Sequence, residues 1–304
     1  MNDIIKIDSI SKLHQLMGFP KPNHPLISVV DFSKIDLSEL EKRESYKTTF
    51  DFYSISLKGE NECSIKYGRE YYDFEEGVLL FSAPGQIINY EEIDEEAEYS
   101  GWGIFFHPDL IRGTFLNSKI KEYNFFHYSV YEALHISQSE KDMLESILTK
   151  VKKEYENNID QFSQEVLVSH LGLILSYSQR FYGRQFITRK KQNIEIIHKL
   201  QNILTTYYEE EIQLQSGIPT VKLLSEELNI TSNYLTDLLK QETGKNTQEH
   251  IHLYLIDKAK DMLVASNKSA SEIAYELGFE YSQYFSRLFK AKTGMTPNEF
   301  RSVN

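Results

Sequence analysis

The chain has almost no cysteine, no long apolar run and no surplus of basic charge, and each shortage removes a class of protein. A single cysteine, Cys63, in 304 residues rules out a framework of internal disulfides. Cys63 alternates with Ile65 and Tyr67 in a strand-like run, so it is expected as a core side chain rather than a catalytic thiol. No stretch approaches the roughly 20 apolar residues that a membrane-spanning helix needs. The opening residues, Met1-Asn-Asp-Ile-Ile-Lys6, lack the apolar region of a signal peptide. A cytoplasmic chain without membrane contact is therefore expected, long enough for two domains that each bury a core.

The net charge of −12 would repel a polyanion if it were spread evenly. It is not. Residues 184–304 hold 15 basic and 15 acidic side chains, which leaves 18 and 30 for residues 1–183, so the whole deficit lies in the first part. From Gln283 onward, Arg287, Lys290, Lys292 and Arg301 stand against one acid, Glu299. Basic charge is local to that end, which suits a modest electrostatic attraction to phosphate.

Metal ligands are also scarce. His24, His107 and His127 are far apart, and His250 and His252 fall two apart on a helical segment, where they point in different directions. The run from Glu91 to Glu98 carries six acids in eight residues and reads as a solvated loop. No metal and no other cofactor is expected.

What the chain does have is a repeated pattern near its end. The first copy runs Leu224-Ser-Glu-Glu-Leu228-Asn-Ile230, then Tyr234-Leu235-Thr-Asp-Leu238-Leu239-Lys240, then Thr243-Gly244. The second runs Ile273-Ala-Tyr-Glu-Leu277-Gly-Phe279, then Tyr284-Phe285-Ser-Arg-Leu288-Phe289-Lys290, then Thr293-Gly294. Leu228 matches Leu277 at an offset of 49, whereas Tyr234 through Gly244 match at 50, so one residue has been added in the turn. Fixed lengths with slack only in the turn describe a repeated helix-turn-helix.

Leu235, Leu238 and Leu239, like Phe285, Leu288 and Phe289, stand at i, i+3, i+4 and give each second helix one apolar stripe. The opposite face carries Asn233, Asp237 and Lys240 in the first copy and Gln283, Arg287 and Lys290 in the second, flanked by Thr236 and Ser286. Thr231 or Ser232 and Ser282 are cap candidates, and Gly244 and Gly294 end the helices. Asn and Gln can pair twice with adenine, Arg twice with guanine, and Ser or Thr with several partners. A lysine at the far end of each helix suits phosphate. The residues expected to touch DNA are thus Ser232, Asn233, Thr236, Asp237 and Lys240, with Ser282, Gln283, Ser286, Arg287 and Lys290. Preceding helices are expected at about 219–227 and 270–276, and a bridging helix from Thr247 to Ser266 with Ile251, Leu255, Ala259 and Met262 on one side.

The second copy, from Ser271 to Lys290 and on through Gly294-Met-Thr-Pro-Asn-Glu-Phe-Arg301, closely resembles the signature of the AraC/XylS family of bacterial transcription regulators, and the first copy is similar but looser. The match covers roughly 190–304. Leu255 departs from it, standing where many members carry an arginine. The resemblance implies double-stranded DNA as partner, a small-molecule effector, a homodimer and RNA polymerase as a further partner. It also implies an N-terminal cupin-like barrel as sensor.

The N-terminal residues fit an all-β domain by themselves. Tyr53-Ile55-Leu57, Cys63-Ile65-Tyr67, Val78–Phe81, Ile87–Tyr90 and Trp102-Ile104-Phe106 are short alternating or apolar runs. Turn signals separate them at Lys58–Asn61, Glu75–Gly77 and Pro84-Gly85. Such spacing points to a small barrel or jelly roll. Its interior is expected to draw on Tyr53, Ile55, Phe81, Ile88, Trp102 and Ile104, as pocket or as core. Two amphipathic helices follow, at Ser139–Asn157 and Gln161–Tyr182. The second carries Val166, Leu167, Leu171, Ile174 and Leu175 on a stripe broad enough to cover both the barrel and a partner chain, with His170 packed within it.

The fold class expected is therefore two-domain: an all-β cupin-like barrel at 1–137 with a helical hairpin at 138–183 for dimerisation, a basic connector at 184–191, and an all-α domain at 192–304 with two helix-turn-helix units. The function expected is sequence-specific transcription regulation without catalysis. A cupin-type metal-dependent enzyme fused to a DNA-binding tail is the alternative, and metal analysis separates the two. In a third reading the barrel only mediates dimerisation and senses nothing, which absence of any ligand-induced stabilisation would favour.

Overall fold

The computed structural model describes residues 4–35, 46–58, 77–90 and 100–303. The expected strand at Cys63–Tyr67, most of the turns at 58–61 and 75–77, and the acidic run at 91–98 lie outside the described residues. The chain packs as two compact units, Met1–Arg189 and Lys190–Asn304. No helix among the described residues is long and apolar enough to cross a membrane.

The first unit contains β1 (Ile4–Ile7), α1 (Ile10–Leu16), β2 (Ile27–Asp31), β3 (Tyr46–Phe50), β4 (Tyr53–Lys58), β5 (Val78–Ser82), β6 (Ile87–Tyr90), β7 (Gly101–Phe106), α2 (Pro108–Ile111), α3 (Phe115–Lys119), β8 (Leu134–His135), α4 (Gln138–Glu156) and α5 (Ser163–Thr188). The strands form one sheet in the order β1-β3-β6 and another in the order β2-β7-β4-β5-β8. Both sheets are open, and no closed barrel is present among the described residues.

Register assigns the faces of the five-stranded sheet. Ile55 lies opposite Phe81 and Ile104, and Leu57 opposite Leu79 and Trp102. Tyr53, Ile55, Phe81, Trp102 and Ile104 therefore share one face. That face is covered by helix and 3₁₀ turn: the Phe81 ring lies 4.4 Å from Phe125, 5.6 Å from Phe126 and 6.2 Å from Tyr182. Tyr53 stacks on Phe106 and meets Phe126 edge-on, each at 5.1 Å. Five of the six side chains expected in the interior thus fill a core between sheet and helices, where a large apolar group contributes roughly 1.5–3 kcal/mol. Ile88 stands apart from them, on β6 against a second cluster of Ile7, Leu13, Phe50, Phe52 and Phe105. The other face of β4, β5 and β7 turns toward that cluster and carries Ser54, Ser82 and Phe105, with the Ser54 and Ser82 hydroxyls 2.5 Å apart.

Helix α4 opens with a capping box, Ser137 and Glu140. The same Glu140 accepts from Arg184 Nε at 3.1 Å and Nη2 at 2.6 Å, while Gln185 donates to the Ala133 carbonyl and accepts from the His135 amide. In the span 184–191, expected as a connector, residues as far as Thr188 therefore continue α5, with Gln185 and Phe186 buried, and Lys190 and Lys191 already belong to the next helix. On α5 the side chains of Leu167, Leu171, Ile174 and Leu175 are buried inside this unit. Of the five residues expected to carry dimer contacts, Val166 alone is exposed, alongside Phe162 and Leu173. His170 is half-buried rather than packed in the core, and burial with nearby Lys150 lowers its pKa.

The second unit is all helix: α6 (Lys190–Glu209), α7 (Gln213–Ser216), α8 (Val221–Glu227), α9 (Ser232–Thr243), α10 (Thr247–Ala265), α11 (Ala270–Glu276), α12 (Ser282–Thr293) and α13 (Pro297–Val303).

Candidate nucleic-acid interface

The two halves of the second unit share one turn geometry. Helix α8 ends where the Ile230 amide donates to the Ser225 carbonyl, and α11 where the Phe279 amide donates to the Ala274 carbonyl. Asn229 and Gly278 take the left-handed conformation between them, at φ 55° and 85°. Glycine is required at 278 for a second reason: a Cβ there would sit 2.9 Å from the Gly217 carbonyl carbon. The residue added in the second turn is Glu280. Gly244 and Gly294, at φ 73° and 80°, close α9 and α12 by donating to the Lys240 and Lys290 carbonyls.

Apolar stripes anchor both helices as their spacing predicts: Leu235, Leu238 and Leu239 are buried in α9, and Phe285 and Phe289 in α12, with Leu288 half-buried. The scaffold is tied by side chains that spacing alone does not reveal. Asn193 of α6 donates to Glu242 of α9 at 2.7 Å, Tyr208 of α6 to the Leu277 carbonyl at 3.2 Å, and Gln213 to the Glu276 carbonyl at 3.2 Å. Arg301, counted among the basic residues of the C-terminal end, donates to the carbonyls of Leu263 and Lys268 and so holds α13 against α10. Leu255, where the family resemblance leads one to look for arginine, is fully buried with Ile251 and Ala259, while Met262 is half-buried.

The ten residues expected at DNA separate into two groups. In α9, Ser232 and Thr236 are engaged internally. Ser225 donates to the Lys222 carbonyl, so the 2.8 Å contact between Ser225 and Ser232 is made with the Ser232 proton. Thr236 donates to the Ser232 carbonyl at 2.8 Å and accepts from buried Thr247 at 3.0 Å. Asn233 and Asp237 are half-buried, and Lys240 is exposed. In α12, Gln283, Arg287 and Lys290 are exposed and Ser282 and Ser286 half-buried. The second helix therefore presents a fuller polar face. Lys290 and Lys292 sit in its last turn, where the helix dipole favours cations.

The caps differ as well. The Thr231 hydroxyl accepts from the Tyr234 amide, as expected. Ser282 is not a cap. The position belongs to Tyr281, whose side chain makes no capping bond. Glu280 beside it pushes the Tyr281 hydroxyl pKa up. Tyr281 and Tyr284 are both exposed, and neither was marked by helical spacing, because tyrosine at such positions reads equally as core. The two histidines of α10 bond elsewhere: His250 Nε2 to the Thr243 hydroxyl at 2.8 Å, His252 Nε2 to the Gln248 side chain at 3.1 Å. Burial lowers the pKa of both, helped by Lys245 for His250 and Lys292 for His252.

Residues 224–302 match the family described as helix-turn-helix domain. The chain is 33% identical over 150 residues to YfiF of Bacillus subtilis (strain 168), an HTH-type transcriptional regulator, in a match covering 48% of this chain and 45% of the other. It is 27% identical over 151 residues to the HTH-type transcriptional activator RhaS of Escherichia coli, covering 49% and 50%. Among solved structures, the C-terminal domain of the two-component response regulator yesN from Fusobacterium nucleatum is 30% identical, covering 33% of this chain and 96% of that one, with a TM-score of 0.29. The chain spans about half the length of the curated relatives it matches.

Proposed function

We propose that this chain is a transcription regulator of the AraC type, which binds double-stranded DNA sequence-specifically and catalyses no reaction. Helices α9 and α12 enter successive segments of the major groove, about 34 Å apart, so that both contact one face of the duplex. The observation that carries this reading is the exposed row Gln283, Arg287 and Lys290 on a helix held by a duplicated, register-matched scaffold. Arginine and glutamine are the side chains that pair twice with guanine and adenine, and lysine holds phosphate.

The same reading gives the first unit a cupin-like sensor for a small molecule, with RNA polymerase as a partner at the promoter. A site between the two sheets is supported by Thr48, on the face of β3 shared with Phe50. It is 2% exposed and its hydroxyl has no hydrogen-bond partner among the described residues. Ser54 and Ser82 lie on the opposing face. Pairing of two copies is supported by the exposed apolar side chains of Val166 and Leu173 on α5 and of Phe162 just before it.

The test is selection of duplexes from a randomised library by the full chain. Enrichment of a motif with two informative segments about one helical turn apart is expected. Binding that is uniform across sequences at every salt concentration would refute the reading.

A further inference from the structure

The repeat places one residue type in two environments. Tyr234 in α9 and Tyr284 in α12 occupy the same register, yet Tyr234 is 4% exposed and Tyr284 is 44% exposed. The two copies also differ in the apolar residue that precedes each second helix. Phe279 is buried where the first copy has a half-buried Ile230, and its ring packs on Phe285 with centroids 5.3 Å apart. The Tyr284 ring rests against Phe279, with centroids 5.9 Å apart and planes inclined by 55°.

Tyr284 is thus an exposed aromatic side chain next to Gln283 and about one turn before Arg287, backed on one side by Phe279. A tyrosine held in this way offers a broad apolar surface at little conformational cost, since it has only two rotatable side-chain bonds. In the major groove the apolar feature that distinguishes one base from the rest is the C5 methyl of thymine. Polar neighbours cannot read that group, because it neither donates nor accepts a hydrogen bond.

We propose that Tyr284 is a specificity-determining residue whose ring covers the C5 methyl of a thymine adjacent to the base read by Arg287. This rests on the DNA-binding reading above and adds a base preference to it.

The experiment uses the full chain and the duplex recovered by library selection, with each thymine in the segment facing α12 replaced in turn by deoxyuridine. That change removes one methyl group and leaves every hydrogen-bonding edge intact. Affinity should fall about fourfold at one position, the factor expected for losing one methyl from an apolar contact. Tyr284→Phe should keep that sensitivity. Tyr284→Ala should bind thymine and uracil duplexes alike at that position, with helical content matching the parent by circular dichroism. Equal binding of thymine and uracil duplexes by the parent at every position would overturn the assignment, as would undiminished sensitivity in Tyr284→Ala. Absence of any sequence preference in the parent would instead overturn the DNA-binding reading on which it rests.

Discussion

Asn193 donates its side-chain amide to the Glu242 carboxylate at 2.7 Å, which joins the first helix of the second unit to the last turn of α9. Asn193 is buried and Glu242 half-exposed, so removing the acceptor takes away one of the bonds that tie α6 to α9. Glu242→Ala should cost about 0.5–1.5 kcal/mol, the range for one lost hydrogen bond. Glu242→Gln retains an acceptor oxygen and should keep most of the stability. Urea midpoints of the full-length variants check both values, and equal losses would show that the charge rather than the acceptor matters.

The exposed side of α5 sets a second expectation. Val166 is 36% and Leu173 42% exposed, seven residues apart on one stripe, whereas Leu171 and Leu175 are buried within the unit. Val166→Glu combined with Leu173→Glu should give a folded monomer by sedimentation. Leu171→Glu should instead lose several kcal/mol of stability, because it buries an unpaired charge. A double variant that still sediments as a dimer would place the contact elsewhere.

Acid should loosen the second unit. Burial holds the pKa values of His250 and His252 below the ordinary 6.5, so these rings stay neutral in the fold to lower pH than in the unfolded chain. Between the lowered value and 6.5 the unfolded chain binds more protons, and stability rises with pH through that window. Their contribution is fully present above 6.5 and is lost as pH falls. The groups facing His250 are the Thr243 hydroxyl, Lys245 and Glu249. The melting temperature of the full chain should fall below pH 6.5, and His250→Gln should flatten that fall. The low-pKa carboxyls of Asp31, Glu272 and Glu299 titrate below the window and do not mask it. A melting temperature that climbs on acidification would mean that the rings gain a partner when protonated.

Helix periodicity made the second unit legible because its cues are local. Thr231 and Thr220 cap, Gly244 and Gly294 stop, and apolar side chains recur every three or four residues on a face with solvent opposite. The sheets gave less. Alternation marks the buried face of a strand only when the other face is wet, and β4 is covered on both sides. Ser54 and Ile55 are both buried, so no parity of polar and apolar residues could say which face meets the helices. Strand β1 has four residues and β8 two, too few for a period. The end of α5 was missed because Arg184 and Gln185, polar in sequence, are fixed by Glu140, His135 and Ala133, which lie more than forty residues away. Tyr284 was missed because its exposure is a tertiary fact: Tyr234, at the same register in the first copy, is buried.

The two recognition helices should respond differently to single changes. Arg287 is exposed on the face of α12 away from its buried phenylalanines, so Arg287→Ala should cost about 1–3 kcal/mol and relax preference at one base pair. Lys290, in the last turn, should act on phosphate: Lys290→Ala should weaken all sequences alike and lower the salt slope by about one unit. In α9, Ser232 and Thr236 spend their hydroxyls on Ser225, on the Ser232 carbonyl and on Thr247, so Thr236→Val should cost stability more than specificity. Asp237 is half-buried at the register position of Arg287. A carboxylate beside phosphates repels them unless it makes one well-placed contact, such as accepting from cytosine N4. Asp237→Asn removes the charge and keeps the shape, and it should tighten binding to most sequences without altering preference. Titrations of a panel of duplexes differing at single base pairs decide the matter. If affinity falls only for sites with cytosine at one position, Asp237 reads that base and α9 carries its own specificity.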